Sequence, residues 1–202
     1  MISTISTVLV LAIIFLSTFV RSALGFGDAL IAMPLLALVV GMQTATPLVA
    51  MGASTIAFTI LLKSWRNVEI KAAWRLVVST WAGIPLGLFF LKAAPDALVK
   101  AILGVLLIGF SIYNLITPKL PQLKNEKWSF ATGLLAGILG GAYNTNGPPV
   151  VVYGMLRKWP PEKFRATLQG YFLPTGSAIL IGHGLAGLWT PTVVRLYLYC
   201  LP

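Results

Sequence analysis

The residues best suited to hold a ligand form the string Asn144-Thr145-Asn146-Gly147-Pro148-Pro149, which is polar although its flanks, from Gly137 to Gly154, are apolar enough for lipid. Proline is favoured in the first turn of a helix because its missing N–H would be unpaired there anyway, and asparagine is a good N-cap. The string therefore predicts a helix start at Pro148. A helix start presents unpaired backbone N–H groups and partial positive charge, so an anion is its natural partner. Asn144, Thr145 and Asn146 could add donors, and Gly140, Gly141 and Gly147 would let a ligand approach the backbone. The competing reading is a capped kink whose small residues let helices pack closely.

A second break reads Gly25-Phe26-Gly27-Asp28. Asp28 is an acid set in an apolar region, where ionisable groups are costly and point to function. It has two readings. As a proton-coupling group, a protonated Asp28 would tolerate an anion that its carboxylate repels. As a structural group, it would cap a helix over 29–41 and pair with Arg21. Ser54, on the helix after this break, and Gln169, in the second half, could face one cavity, or they could make helix–helix hydrogen bonds worth about 0.6 kcal/mol each in membranes. His183, near the outer face, reads as a packed or interfacial histidine in preference to a proton relay. One His and one Cys cannot build a metal centre alone. No cluster of His, Cys or acids suits enzyme chemistry, so the expectation is a non-enzyme without a cofactor.

The elements that must position these groups are membrane helices. Only 10% of the 202 residues are charged and 57% are hydrophobic, whereas a soluble domain carries about 25% charged residues. Met1 to Val20 contains no charge, and about 20 helical residues cross a bilayer core of about 30 Å. No Lys or Arg precedes this run and no clean cleavage site follows, so it reads as a retained helix rather than a signal peptide. Further apolar segments are expected at 28–42, 44–62, 75–92, 98–116, 129–142, 147–156, 166–188 and 189–202. The fold class is thus all-α, a polytopic transmembrane bundle in contact with the lipid bilayer. The net charge of +10 is read as cytoplasmic loop charge, with no nucleic-acid motif to suggest that partner.

Sliding the chain by 115 residues brings Leu24-Gly25 onto Leu139-Gly140, Pro34 onto Pro149 and Trp74 onto Trp189. Two repeats with Gly/Pro-broken helices are expected: 1–116, then a basic linker at 117–128, then 129–202. All Lys and Arg except Lys92, Lys100 and Arg195 fall at Arg21 or in loops 63–75, 117–128 and 157–165, which the positive-inside rule puts in the cytoplasm. If both short pieces cross, the first half has five spans and the second is inverted. By the same offset residue 202 matches residue 87, so the last helices of the second repeat are expected to be missing. Either the form is truncated, or another subunit, as in a homo-oligomer, completes the bundle.

The two breaks, SALGFGDALIAMPLL (22–36) and GILGGAYNTNGPPVVVYG (137–154), resemble those of the sulfite exporter TauE/SafE family, also called the 4-toluene sulfonate uptake permease family. The resemblance covers nearly the whole chain, although many members carry a run of glycines where this chain has Gly25-Phe26-Gly27. It implies a permease in the bacterial-type inner membrane for small anions such as sulfite or organosulfonates, with about eight helices in about 250 residues. The expected substrate contacts are Gly25, Gly27, Asp28, Ser54, Gly140, Gly141, Asn144, Thr145, Asn146, Gly147, Pro148 and Gln169. With no nucleotide-binding loop, energy would come from a proton, another ion or the substrate's own gradient. An anion channel and a non-transporting membrane subunit are the alternatives.

Overall fold

The computed structural model describes residues 4–24, 27–64, 70–116, 122–123 and 125–201. Among them the chain is all helical: α1 Thr4–Leu24, α2 Asp28–Val40, α3 Met42–Ser64, α4 Ile70–Ala93, α5 Asp96–Ile116, α6 Trp128–Tyr143, α7 Gly147–Leu156, α8 Pro161–Leu185 and α9 Pro191–Tyr199. Among the described residues, Thr4–Ser22, Trp74–Ala93 and Asp96–Tyr113 are long and apolar enough to cross a membrane. Helices α2 and α7 are shorter, with 13 and 10 residues, or about 20 and 15 Å at 1.5 Å per residue.

The bundle is built around α4 and α6. A methyl group added to Gly83 would strike the Leu134 carbonyl, one on Gly87 the Ile138 carbonyl, and one on Gly137 the Thr80 carbonyl. The two backbones are therefore close enough that only hydrogen fits between them, the small-residue packing that stands in for hydrophobic drive inside lipid. Helix α4 packs on α8 as well, while α9 packs on α1 and α3. Apolar side chains including Met33, Leu36, Leu48, Ile84, Leu91 and Ile179 fill the larger core, and Leu76, Val150, Val151, Leu168 and Tyr171 a smaller one beneath α7.

The short helices turn into their long successors by similar means. Gly41, at φ 77°, separates α2 from α3, and Lys158, at φ 51°, lies between α7 and α8. The amide of Met42, which opens α3, donates to Asp96 Oδ1 at 3.1 Å, and Asp96 Oδ2 also meets Lys100 Nζ at 2.6 Å. One carboxylate thus ties the start of α3 to the start of α5 and satisfies an otherwise unpaired donor.

Candidate functional site

The break after α6 is held by pairing nearly every group it frees. Asn144 ends the helix in the left-handed region, at φ 52° and ψ 26°, where asparagine is among the few tolerated side chains. Its amide donates to Gly140 O at 2.8 Å, and the Thr145 amide to Leu139 O at 3.3 Å. Two further carbonyls accept from distant helices: Gly141 O lies 3.1 Å from His183 Nε2, and Ala142 O receives Thr46 Oγ1 at 3.2 Å. Carbonyls at the end of a helix have no intrahelical partner, and in lipid each unpaired one is expensive. His183, fully buried, is thus a packed residue, and its ring nitrogen supplies what water would supply at a surface.

Helix α7 starts at Gly147, one residue earlier than the sequence suggests. Asn146 occupies the N-cap position, but its side chain makes no cap hydrogen bond. Its Nδ2 donates instead to Thr175 Oγ1 at 3.2 Å, and that hydroxyl donates to Tyr171 O at 2.7 Å. The Tyr171 hydroxyl lies 3.0 Å from Thr80 Oγ1, which donates to Gly133 O at 2.9 Å. Asn146 is therefore anchored to α8 and linked through it to the α4–α6 pair. Pro148 and Pro149 carry no N–H, so of the four first-turn donors of α7 only those of Asn146 and Gly147 remain.

At the other break, Gly27 takes the cap position of α2 at φ 97°, and Asp28 is the first helical residue. Asp28 is therefore not the N-cap that one reading expected. Its Oδ2 pairs with Arg21 Nη1 of α1 at 2.5 Å, with both side chains about 15% exposed. The Nε of Arg21 is buried with no partner among the described residues.

These two breaks meet. A cavity of about 310 Å³ is lined by Gly27, Asp28, Ala29 and Leu30 from the start of α2 and by Asn144, Thr145, Asn146, Gly147 and Pro148 from the start of α7 and the turn before it. Arg21 closes one side, and α3 and α8 supply Ser54, Phe58, Phe172 and Ser177. Ala29 and Asn144, Leu30 and Thr145, and Phe58 and Leu173 stand 115 positions apart in the chain, and all six lie on this wall.

Of the residues expected at the site, Gly27, Asp28, Ser54, Asn144, Thr145, Asn146, Gly147 and Pro148 come together on the cavity. Gly140 and Gly141 do not. A methyl on Gly140 would strike Ile179 Cδ1 at 2.7 Å, and one on Gly141 would strike the Ile84 carbonyl; their smallness serves helix packing. Gly25 and the side chain of Gln169 lie outside the described residues. Sequence reasoning took Arg21 as a marker of the membrane surface and, in one reading, as the partner of Asp28, but not as part of the cavity wall, and it passed over Phe58, Phe172 and Ser177. For Arg21 a signal was present, since a base seven positions before an isolated acid is within reach across a tight bend. For the α3 and α8 residues only the 115-residue offset hinted at a shared wall.

No solved structure matches the chain. A curated relative from Haemophilus influenzae, described as "Probable membrane transporter protein", is 31% identical over 144 residues, which make up 66% of this chain and 56% of the relative. The chain thus spans little more than half of that relative's length. The model of the family described as "Sulfite exporter TauE/SafE" matches residues 10–201, and the chain accordingly belongs to the TauE/SafE family of membrane transporters.

Proposed function

We propose that the cavity between the two breaks is the substrate site of a secondary transporter for small anions, sulfur oxyanions such as sulfite or organosulfonates among them. The observation that carries this reading is the convergence of two helix starts and one guanidinium on a single cavity. Each helix start contributes about half a positive charge, and half-helix N-termini aimed at anionic groups are a recurrent transporter device. The first turn of α2 contains no proline, so each of its residues carries an N–H, of which that of Leu30 donates to Gly27 O, whereas α7 has lost two. The richer backbone end is therefore α2, and α7 contributes side-chain donors.

Arg21 and Asp28 form an ion pair whose charges cancel, so neither brings an isolated charge to the cavity wall. An arriving anion competes with Asp28 for Arg21. A proton on Asp28 would release the guanidinium to the anion, which gives proton coupling a physical route. In this reading residues 1–116 and 129–202 are inverted repeats, with alternating access by movement of one half against the other. The basic loops 63–75, 117–128 and 157–165 face the cytoplasm of a cell with this protein in its inner membrane.

The test is uptake of labelled sulfite, methanesulfonate and acetate into proteoliposomes. Saturable uptake that a second anion inhibits, and that Arg21→Gln reduces at least tenfold, is the expected result. Uptake equal to that of protein-free liposomes for every anion tried would overturn the reading. Large unitary currents in planar bilayers would replace a transporter with a channel.

A further inference from the structure

A second, larger hollow lies beside the proposed site. It measures about 560 Å³ and runs between α5 on one side and α6 and α7 on the other. Its walls are almost wholly apolar, with Leu103, Leu106, Phe110, Leu135, Leu139 and Val152 among them. Leu30, Thr145 and Pro148 line both this groove and the polar cavity. The donor-rich cavity and the apolar groove therefore meet at these three residues. The far end of the groove is marked by Tyr113 and Trp128, aromatic types that favour membrane interfaces.

We infer that the groove is a subsite for the apolar tail of an amphiphilic organic anion whose charged head sits against Arg21 and the two helix starts. The inference rests on the anion-site reading above and adds to it the shape of the substrate. A purely inorganic anion would need only the polar cavity. The groove follows α5 from Leu103 to Tyr113, about 15 Å of helix, which is long enough for an extended alkyl chain entering past Leu30 and Pro148. Burial of each methylene is worth up to about fourfold in affinity by the apolar transfer coefficient, so such a groove would discriminate strongly by tail length. Its occupant would reach it from the cavity side, with the head held by the polar groups, and not as a bulk lipid with its headgroup at the surface.

The experiment is calorimetric titration of the full chain in nanodiscs with methane-, butane- and octanesulfonate, with empty nanodiscs subtracted and octyltrimethylammonium as a same-tail cation. Expected is a Kd that falls at least tenfold from methane- to octanesulfonate, with no comparable gain for the cation. Gly109 lines the groove and an added Cβ there meets nothing within 4 Å, so Gly109→Leu should fold normally while filling it. That variant should bind methanesulfonate as the wild type does and lose the gain from the octyl tail. Val152→Trp should do the same from the opposite wall. A Kd independent of tail length, or a tail effect that survives both substitutions, would overturn the proposal while leaving the anion site intact. Failure of every sulfonate, methanesulfonate included, would overturn the anion site and the subsite with it. A dimer in nanodiscs that Gly109→Leu dissociates would give the groove to a second copy of the chain and overturn the proposal.

Discussion

Arg21 Nη1 and Asp28 Oδ2 lie 2.5 Å apart, bridging α1 and α2 across the first break and forming one side of the cavity. Both groups are mostly buried, so neither charge is tolerable alone. Removing one partner of such a pair commonly costs about 3–5 kcal/mol, because the other is left uncompensated. Arg21→Gln should therefore destabilise the protein as well as abolish anion uptake. The double variant Arg21→Gln/Asp28→Asn should regain most of the stability and none of the uptake. Thermal melts in nanodiscs alongside proteoliposome flux separate the two effects; restored uptake in the double variant would remove Arg21 from the site.

Asp28→Asn alone keeps the shape of the pair and removes the negative charge. If Asp28 competes with the anion for Arg21, this variant should bind methanesulfonate at least as tightly as the wild type. If uptake is coupled to protons through Asp28, the variant should also lose any acceleration by an inward proton gradient. Flux with and without an imposed pH gradient measures this, and an unchanged gradient response would exclude Asp28 as the coupling group.

His183 closes the broken end of α6 through the Gly141 carbonyl. A buried acceptor stripped of its partner costs about 1–3 kcal/mol. His183→Ala should lower stability by at least that much, with a cavity added, and Thr46→Val, which strips the Ala142 carbonyl, by about 1–2 kcal/mol. Both side chains lie off the cavity wall, so the surviving folded protein should bind anions normally. Melting temperature and methanesulfonate Kd, measured on the same preparations, test the separation.

Asn144 offers a way to tell backbone need from ligand contact. Its left-handed φ suits glycine better than any residue with a Cβ. Asn144→Gly should fold as well as the wild type and transport less, if the amide touches the substrate. Asn144→Val should misfold, because a β-branched residue is a severe outlier at that φ. Full uptake by Asn144→Gly would mean that the asparagine serves only the turn.

The α4–α6 contact gives a purely structural prediction. Gly137→Leu places a side chain against the Thr80 carbonyl, and overpacking a rigid site costs about 1–3 kcal/mol or more. Gly104, on α5, has open space around its missing Cβ, so Gly104→Ala should be neutral or stabilising by up to about 1 kcal/mol through helix propensity. Yield of monodisperse protein after extraction reports both.

Much of the architecture was legible because its signals are local in the chain. Long apolar runs gave the helices, and the clusters around Gly27 and Asn144–Pro149 gave the breaks, since caps and left-handed turns are written in adjacent residues. The pairing of Asp28 with Arg21 was legible as one option for the same reason. The separation of the glycines into two roles was not. Gly140 and Gly141 read like Gly27 and Gly147, yet two pack helices and two line the cavity, because what a missing side chain makes room for depends on the helix opposite.

By itself, then, the sequence determined that this is an all-helical membrane protein with two polar breaks in its apolar segments, since hydropathy and capping act over a few residues. Only the tertiary structure decided that both breaks open on one cavity, that Arg21 forms part of its wall, that Asn146 is held by Thr175 rather than capping its own helix, and that an apolar groove adjoins the site. Each of these depends on contacts between residues tens of positions apart, and those contacts are set by which helix faces pack together.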